Sequence, residues 1–202
     1  MRSYTVQKIT GSLQWSNISK AAIDIVLWRP CPDGLRAWAQ LCYDDDFLKA
    51  RLSVIEKEPL ARFNSGLLNM VYLDSCLEFF FRPGENERPY FNFEFNPYGA
   101  NFFGFGMDRG SIYRIVLEDY RERFKVNPFT IEGGWGIEFA IPVDLFRMFN
   151  PSFRYRPGLT TRGNFYKCGE ETNAPHYLSW NHIESDKPDF HRPDFFGQII
   201  FE

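Results

Sequence analysis

The segment Tyr90-Phe91-Asn92-Phe93-Glu94-Phe95-Asn96 alternates without a break. A strict period of two belongs to a β-strand, whose successive side chains point to opposite faces. Three Phe fall on one face, which must be buried, and Tyr90, Asn92, Glu94 and Asn96 fall on the other. An ordinary solvated face favours Lys, Thr and Glu; two amides, a carboxylate and a phenol form instead a surface built for directional hydrogen bonds.

Cys76-Leu77-Glu78-Phe79-Phe80-Phe81-Arg82 alternates in the same way, with Leu77, Phe79 and Phe81 on one side and Glu78, Phe80 and Arg82 on the other. The polar stretch from Arg82 to Pro89 reads as the turn between the two. A simple hairpin centred near Asn86 sets Glu78 opposite Glu94, Phe80 opposite Asn92 and Arg82 opposite Tyr90. Like charges directly across strands destabilise a sheet, so the pair calls for a cation, a bridging Arg or a ligand offering hydroxyl donors. A solvated pair tolerated at little cost, or a register shifted by one residue, would remove that need.

Further short apolar runs, each bounded by Gly, Pro, Asn or Asp, recur along the chain and predict strands over Ile23–Trp28, Leu35–Tyr43, Phe47–Ile55, Cys76–Arg82, Tyr90–Asn96, Asn101–Met107, Trp135–Ile141, Asn164–Cys168, Tyr177–Asn181 and Gln198–Phe201. Helix is expected only over Val143–Met148, after Pro142. No linker or repeat divides the 202 residues. The expectation is therefore an all-β, single-domain β-sandwich over residues 1–202 with at most one or two short helices. Its 22 Phe can fill a core without disulfides or a structural metal. Phe79, Phe81, Phe91, Phe93, Phe95, Trp135 and Phe139 are predicted to share the space between two sheets.

A net charge of −3, with Lys and Arg scattered singly, argues against nucleic acid as a partner. No apolar run approaches the roughly 18 residues of a membrane span. The opening MRSYTVQKIT lacks the pattern of a signal peptide; as given the chain is expected to be cytoplasmic, and secreted or periplasmic if a leader has been removed. Cys31, Cys42, Cys76 and Cys168 are far apart in sequence and read as buried free thiols. Asp44-Asp45-Asp46 concentrates hard oxygen ligands but lacks the spacing and glycine of a calcium loop, so a solvated acidic turn is the plainer reading. His176, His182 and His191 show no metal-ligand spacing, and Asp189-Phe190-His191-Arg192-Pro193-Asp194 reads as a structural corner. There is no Gly-x-Ser-x-Gly motif and no phosphate loop, and Gly104-Phe105-Gly106 has no following helix.

The stretches Tyr72–Phe80, Tyr90–Asn96, Trp135–Pro142, Gly163–Gly169 and Ser179–Asn181, followed by Pro188–Pro193 and Phe196-Gly197, together resemble the family 9 carbohydrate-binding modules. The resemblance implies a jelly-roll-like sandwich that binds sugars, often glycan chain ends, between two aromatic rings, with carboxylates, amides and Arg bonding the hydroxyls. Carried onto this chain, it implies Tyr72 as one ring, Glu78 as the strand carboxylate, Trp180 as the opposing ring, Asn164 as the amide, and Lys167 as a further ligand. Tyr72 stands where a larger Trp is usual, and the segment from Asn164 to Trp180 differs in length from better-known members. Arg82, Asn92, Glu94 and Asn96 complete the expected site. No cofactor is required, although some members hold structural calcium, for which Asp44, Asp45 and Asp46 are the candidates here. The partners implied are a saccharide and an associated glycoside hydrolase.

Two other functions compete with a non-catalytic binding module. Glu78 and Glu94, about 5 Å apart, would match the roughly 5–5.5 Å carboxyl spacing of a retaining glycosidase. A structural or protein-interaction sandwich with a vestigial site is the other.

Overall fold

A computed structural model describes residues 1–64, 68–84 and 88–202. The strands are β1 (Ser3–Lys8), β2 (Ala21–Ile23), β3 (Ile25–Val26), β4 (Arg36–Tyr43), β5 (Phe47–Ile55), β6 (Ser75–Arg82), β7 (Tyr90–Phe95), β8 (Asn101–Gly106), β9 (Tyr113–Arg114), β10 (Asn127–Ile131), β11 (Gly134–Pro142), β12 (Thr160–Gly169), β13 (His176–Ser179) and β14 (Gly197–Phe201). Among the described residues the α-helices are two short ones, α1 (Tyr120–Arg123) and α2 (Val143–Arg147).

The strands make a β-sandwich of the jelly-roll type. One layer runs β10-β11-β5-β4, with β2 on β4; the other runs β14-β12-β6-β7-β8-β9, with β13 beside β12 and β3 beside β13. β1 joins them, pairing in parallel with β14 through Ser3–Val6 and then with β4 through Gln7 and Lys8. A strand that changes sheets in this way closes one side of a sandwich. All seven residues predicted to share the inter-sheet space are in the main core, where Phe93 and Phe95 pack on Phe139 and Phe79 stacks on Phe165.

The strand over Phe47–Ile55 is found as expected, and most others start or stop within a residue or two. Ile23–Trp28 is split into β2 and β3, and Trp28 takes a left-handed φ of 53°, which ends the extended run and lets its indole N–H donate to the Ser185 carbonyl. β1, β9 and β10 were not anticipated. Pro128 argues against a strand interior, but β10 is an edge strand, where a missing N–H is tolerated. The expected turn from Arg82 to Pro89 includes residues 85–87, which lie outside the described residues; the strands on either side settle the register. Glu78 pairs with Glu94 and Phe80 with Asn92, in the anticipated alignment.

Candidate functional site

The outer face of the β6–β7 sheet carries Phe80 and Tyr90 as well as the polar residues, and these rings need a cover. A second apolar cluster supplies it, drawing Ile183, Phe190 and Phe196 down onto Phe80, Tyr90 and Tyr166. Phe190 stacks on Tyr166 with ring centroids 4.1 Å apart, and Tyr166 O–H donates to the Phe190 carbonyl. The polar face is thus largely roofed rather than open to solvent. Glu78 is 2% exposed and Glu94 3%.

What the roof leaves open is a cavity of about 250 Å³. Glu78 and Glu94 form its floor, Tyr72, Phe102 and Tyr177 supply aromatic walls, and exposed Arg109 stands at the rim. Tyr72 belongs to the 3-10 turn Val71–Leu73, which leads directly into Asp74. The buried Asp74 carboxylate accepts from the Arg62 and Phe63 backbone N–H groups, the Arg62 guanidinium and Asn96 Nδ2. That clamp fixes the loop that presents Tyr72.

Asn92 Nδ2 donates to Glu94 Oε1 at 2.7 Å, and the Cys168 thiol donates to Glu78 Oε1 at 3.1 Å. Asn92 can reach because its cross-strand neighbour is Gly104, where a Cβ would fall 2.3 Å from Asn92 Oδ1. Glu94 Oε2 and Asn92 Oδ1 are buried acceptors with no donor among the described residues. Burial pushes the Glu94 carboxyl up to about 8, against the pull of the Asn92 hydrogen bond and the Arg114 charge. Burial also raises Glu78 well above the usual carboxylate range, with the Cys168 thiol and Glu94 adding to the effect. Burial lowers His191, also on the cavity, to about 4. The floor therefore offers buried oxygen acceptors in an apolar surround, a setting in which each hydrogen bond to a ligand counts strongly.

Of the residues anticipated from the sequence, the fold brings Tyr72, Glu78 and Glu94 to this cavity, with Asn92 bonded behind Glu94. The others have different places. Trp180 is 3% exposed in the main core, packed on Phe165, and its ring lies where a Cβ on Gly197 would be. Asn164 lies where β12 exchanges β14 for β13, and its amide bonds the Asn181 N–H and carbonyl in place of a ladder. Asn96 caps the β7–β8 turn, accepting from the Tyr98 and Ala100 N–H groups.

Lys167 projects on the inner side of the sheet, the side of Phe165, whereas Glu78 projects on the outer. Its buried ammonium donates to Glu56 Oε1 at 3.1 Å, to His176 Nε2 at 2.8 Å and to the Cys168 carbonyl. Arg82, at the far end of β6, does not line the cavity. The calcium implied by the resemblance does not fit Asp44-Asp45-Asp46. Asp44 holds Lys49 and the Asp46 and Phe47 N–H groups, while Asp45 holds Lys8.

Tyr177, Arg109 and His191 line the cavity without having been anticipated as ligands. Tyr177 was visible only as part of a strand. His191 lay in a stretch taken for a structural corner, and it is also that: its Nδ1 hydrogen-bonds Tyr90 Oη at 2.7 Å and its ring packs on Phe80. Arg109, in the turn after β8, carried no sequence signal.

Comparison with known proteins gives one consistent answer. The family model of carbohydrate-binding family 9 matches residues 7–201. A crystal structure of a proposed carbohydrate-binding protein from Bacteroides uniformis is similar with a TM-score of 0.82 at 26% identity, over 100% of this chain and 99% of that one. Two structures of a family 9 carbohydrate-binding module from Caldicellulosiruptor kristjanssonii, in complex with cellotriose and with glucose, share the fold. Each has a TM-score of 0.68 at 14% identity over 100% of this chain, and over 94% and 96% of the respective relative. No curated protein matches the sequence.

Proposed function

The chain belongs to carbohydrate-binding family 9, and from that membership we propose that it is a non-catalytic module that takes a monosaccharide, or the terminal unit of an oligosaccharide, into the cavity above Glu78 and Glu94. The observation that carries this reading is the buried Glu94 Oε2 on the cavity floor, left without a partner among the described residues. Buried polar atoms are rarely left unpaired, and sugar hydroxyls are donors of the right reach. A pyranose also presents C–H patches, for which Tyr72, Phe102 and Tyr177 offer apolar faces. A volume of about 250 Å³ lies below the roughly 300–1,000 Å³ typical of drug-sized ligands, which favours one sugar unit over the interior of a chain.

A retaining glycosidase has weaker support. Such an enzyme needs one ionised carboxylate as nucleophile beside a protonated acid, whereas burial raises both Glu78 and Glu94. The test is calorimetric titration with glucose, cellotriose and xylose oligomers, beside long incubation with the same oligomers and aryl glycosides. Binding without product release is expected. Hydrolysis abolished by Glu78→Gln would replace the module reading with the enzymatic one, and absence of saturable binding to any sugar would remove the saccharide reading.

A further inference from the structure

Cys76 and Cys168 are far apart in sequence but face each other directly across β6 and β12. Glu78 follows Cys76 by two residues, so all three side chains project from the same outer face of the sheet. Their ligand atoms lie within 4.8 Å of one another, and all three residues are buried. Among the described residues this is the group of His, Cys, Asp or Glu whose ligand atoms converge so closely. The surrounding cluster, including Val71, Phe80, Tyr166 and Tyr177, is apolar. Two thiols and a carboxyl are more than that setting needs for packing.

We propose that Cys76, Cys168 and Glu78 form a binding site for a thiophilic divalent cation of the Zn²⁺ class, with the fourth position filled from the cavity by water or a hydroxyl. Donors about 2.0–2.3 Å from a tetrahedral ion stand roughly 3.3–3.8 Å apart. Cys168 Sγ and Glu78 Oε1 are already 3.1 Å apart, so rotation of the side chains by about an ångström closes the set. Two sulfurs and one oxygen favour Zn²⁺ or Co²⁺ over Ca²⁺ and Mg²⁺, which prefer all-oxygen shells. Glu78 lines the cavity and supplies the route of entry. On binding, two S–H bonds are replaced by two S–metal bonds and both thiol protons pass to solvent, so at least two protons leave per ion.

The experiment is a titration of the reduced full chain with Co²⁺ in weakly coordinating buffer. It expects thiolate-to-cobalt charge-transfer absorption and tetrahedral ligand-field bands at one ion per chain, displaced by Zn²⁺ and unaffected by excess Ca²⁺. Cys168→Ser should lose the charge-transfer bands and weaken Zn²⁺ binding by at least about tenfold, while Cys31→Ser, away from the cluster, leaves both unchanged. Should Cys168→Ser fail to fold, two readings on the parent protein decide: protons released per Zn²⁺, and Zn²⁺-dependent slowing of the reaction of two thiols with a disulfide reagent in mild urea, where the buried thiols are reached in the metal-free chain. Cobalt spectra without thiolate bands, Zn²⁺ binding unchanged in Cys168→Ser, or unprotected thiols at saturating Zn²⁺ would each overturn the proposal. No saccharide is present, so this outcome and that of the sugar titration are separable.

Discussion

Glu78 and Glu94 are directly opposed across two antiparallel strands, and both are all but excluded from solvent. Each carboxyl has one neutral donor beside it, the Cys168 thiol for Glu78 and the Asn92 amide for Glu94. The arrangement stores acceptor capacity that a ligand with several hydroxyls can use.

Glu94→Gln keeps the volume and the bond from Asn92 but replaces a carboxyl by a neutral amide. With Glu94 raised to about 8 its carboxyl is largely neutral near pH 7, and a neutral hydrogen bond is worth about 0.5–1.5 kcal/mol, so sugar affinity should fall roughly two- to tenfold. The melting temperature should hold or rise, because a buried ionisable group has been removed. Titration calorimetry and thermal unfolding in chelator-containing buffer measure both, and unchanged affinity would place the sugar elsewhere.

Tyr72→Ala and Trp180→Ala should have opposite signatures, although both were anticipated as stacking rings. Tyr72 is half-buried on the cavity wall. Its loss should weaken binding by the roughly 0.5–1.5 kcal/mol of an aromatic contact beyond the lost area, with little change in stability. Trp180 is core, so its truncation should destabilise the fold by about 3–5 kcal/mol. Whatever Trp180→Ala protein remains folded at low temperature should bind sugar within about twofold of the parent.

His191 gives a pH signature. Its folded pKa, lowered by burial from 6.5 to about 4, means that the unfolded chain takes up the proton first as pH falls. The stability it contributes is present above pH 6.5 and is lost as pH falls through about 4. His191→Gln should flatten the fall of unfolding free energy across that window by about 3 kcal/mol. His176, lowered to about 4 as well, keeps part of the slope. Urea unfolding at a series of pH values reads it, and a variant with the parent's slope would show that His191 titrates normally.

Lys167→Met should destabilise the protein by about 3–5 kcal/mol, because it leaves the Glu56 carboxylate, which the ammonium, Trp135 and Ser75 hold below its usual range, buried without its cation. Adding Glu56→Gln should recover much of the loss, which a double-mutant cycle would detect. Sugar affinity should not change, since Lys167 lies across the sheet from the cavity. A fall in affinity without a fall in stability would restore it to the binding site.

Alternation along Tyr90–Asn96 and Cys76–Arg82 was enough to set the inward Phe face and to put Glu78 and Glu94 on the outer one, because side-chain direction in a strand is fixed by backbone geometry. The chain alone thereby determined which faces were apolar, whereas the register that makes Glu78 and Glu94 meet, open to a one-residue slip in the sequence, was decided by the folded sheet. Nor could the chain alone determine what covers the outer face. Trp180 and Tyr177 both come from the β13 region, yet one ring fills a gap over Gly197 in the core and the other reaches the cavity. Lys167 and Cys168 are adjacent, yet they face opposite sides of the sheet, one toward Glu56 and the other toward Glu78. His191 and Arg109 arrive from loops after different strands. Those outcomes depend on contacts between residues distant in sequence, where packing volume and the pairing of buried charges choose among positions that local periodicity leaves equivalent.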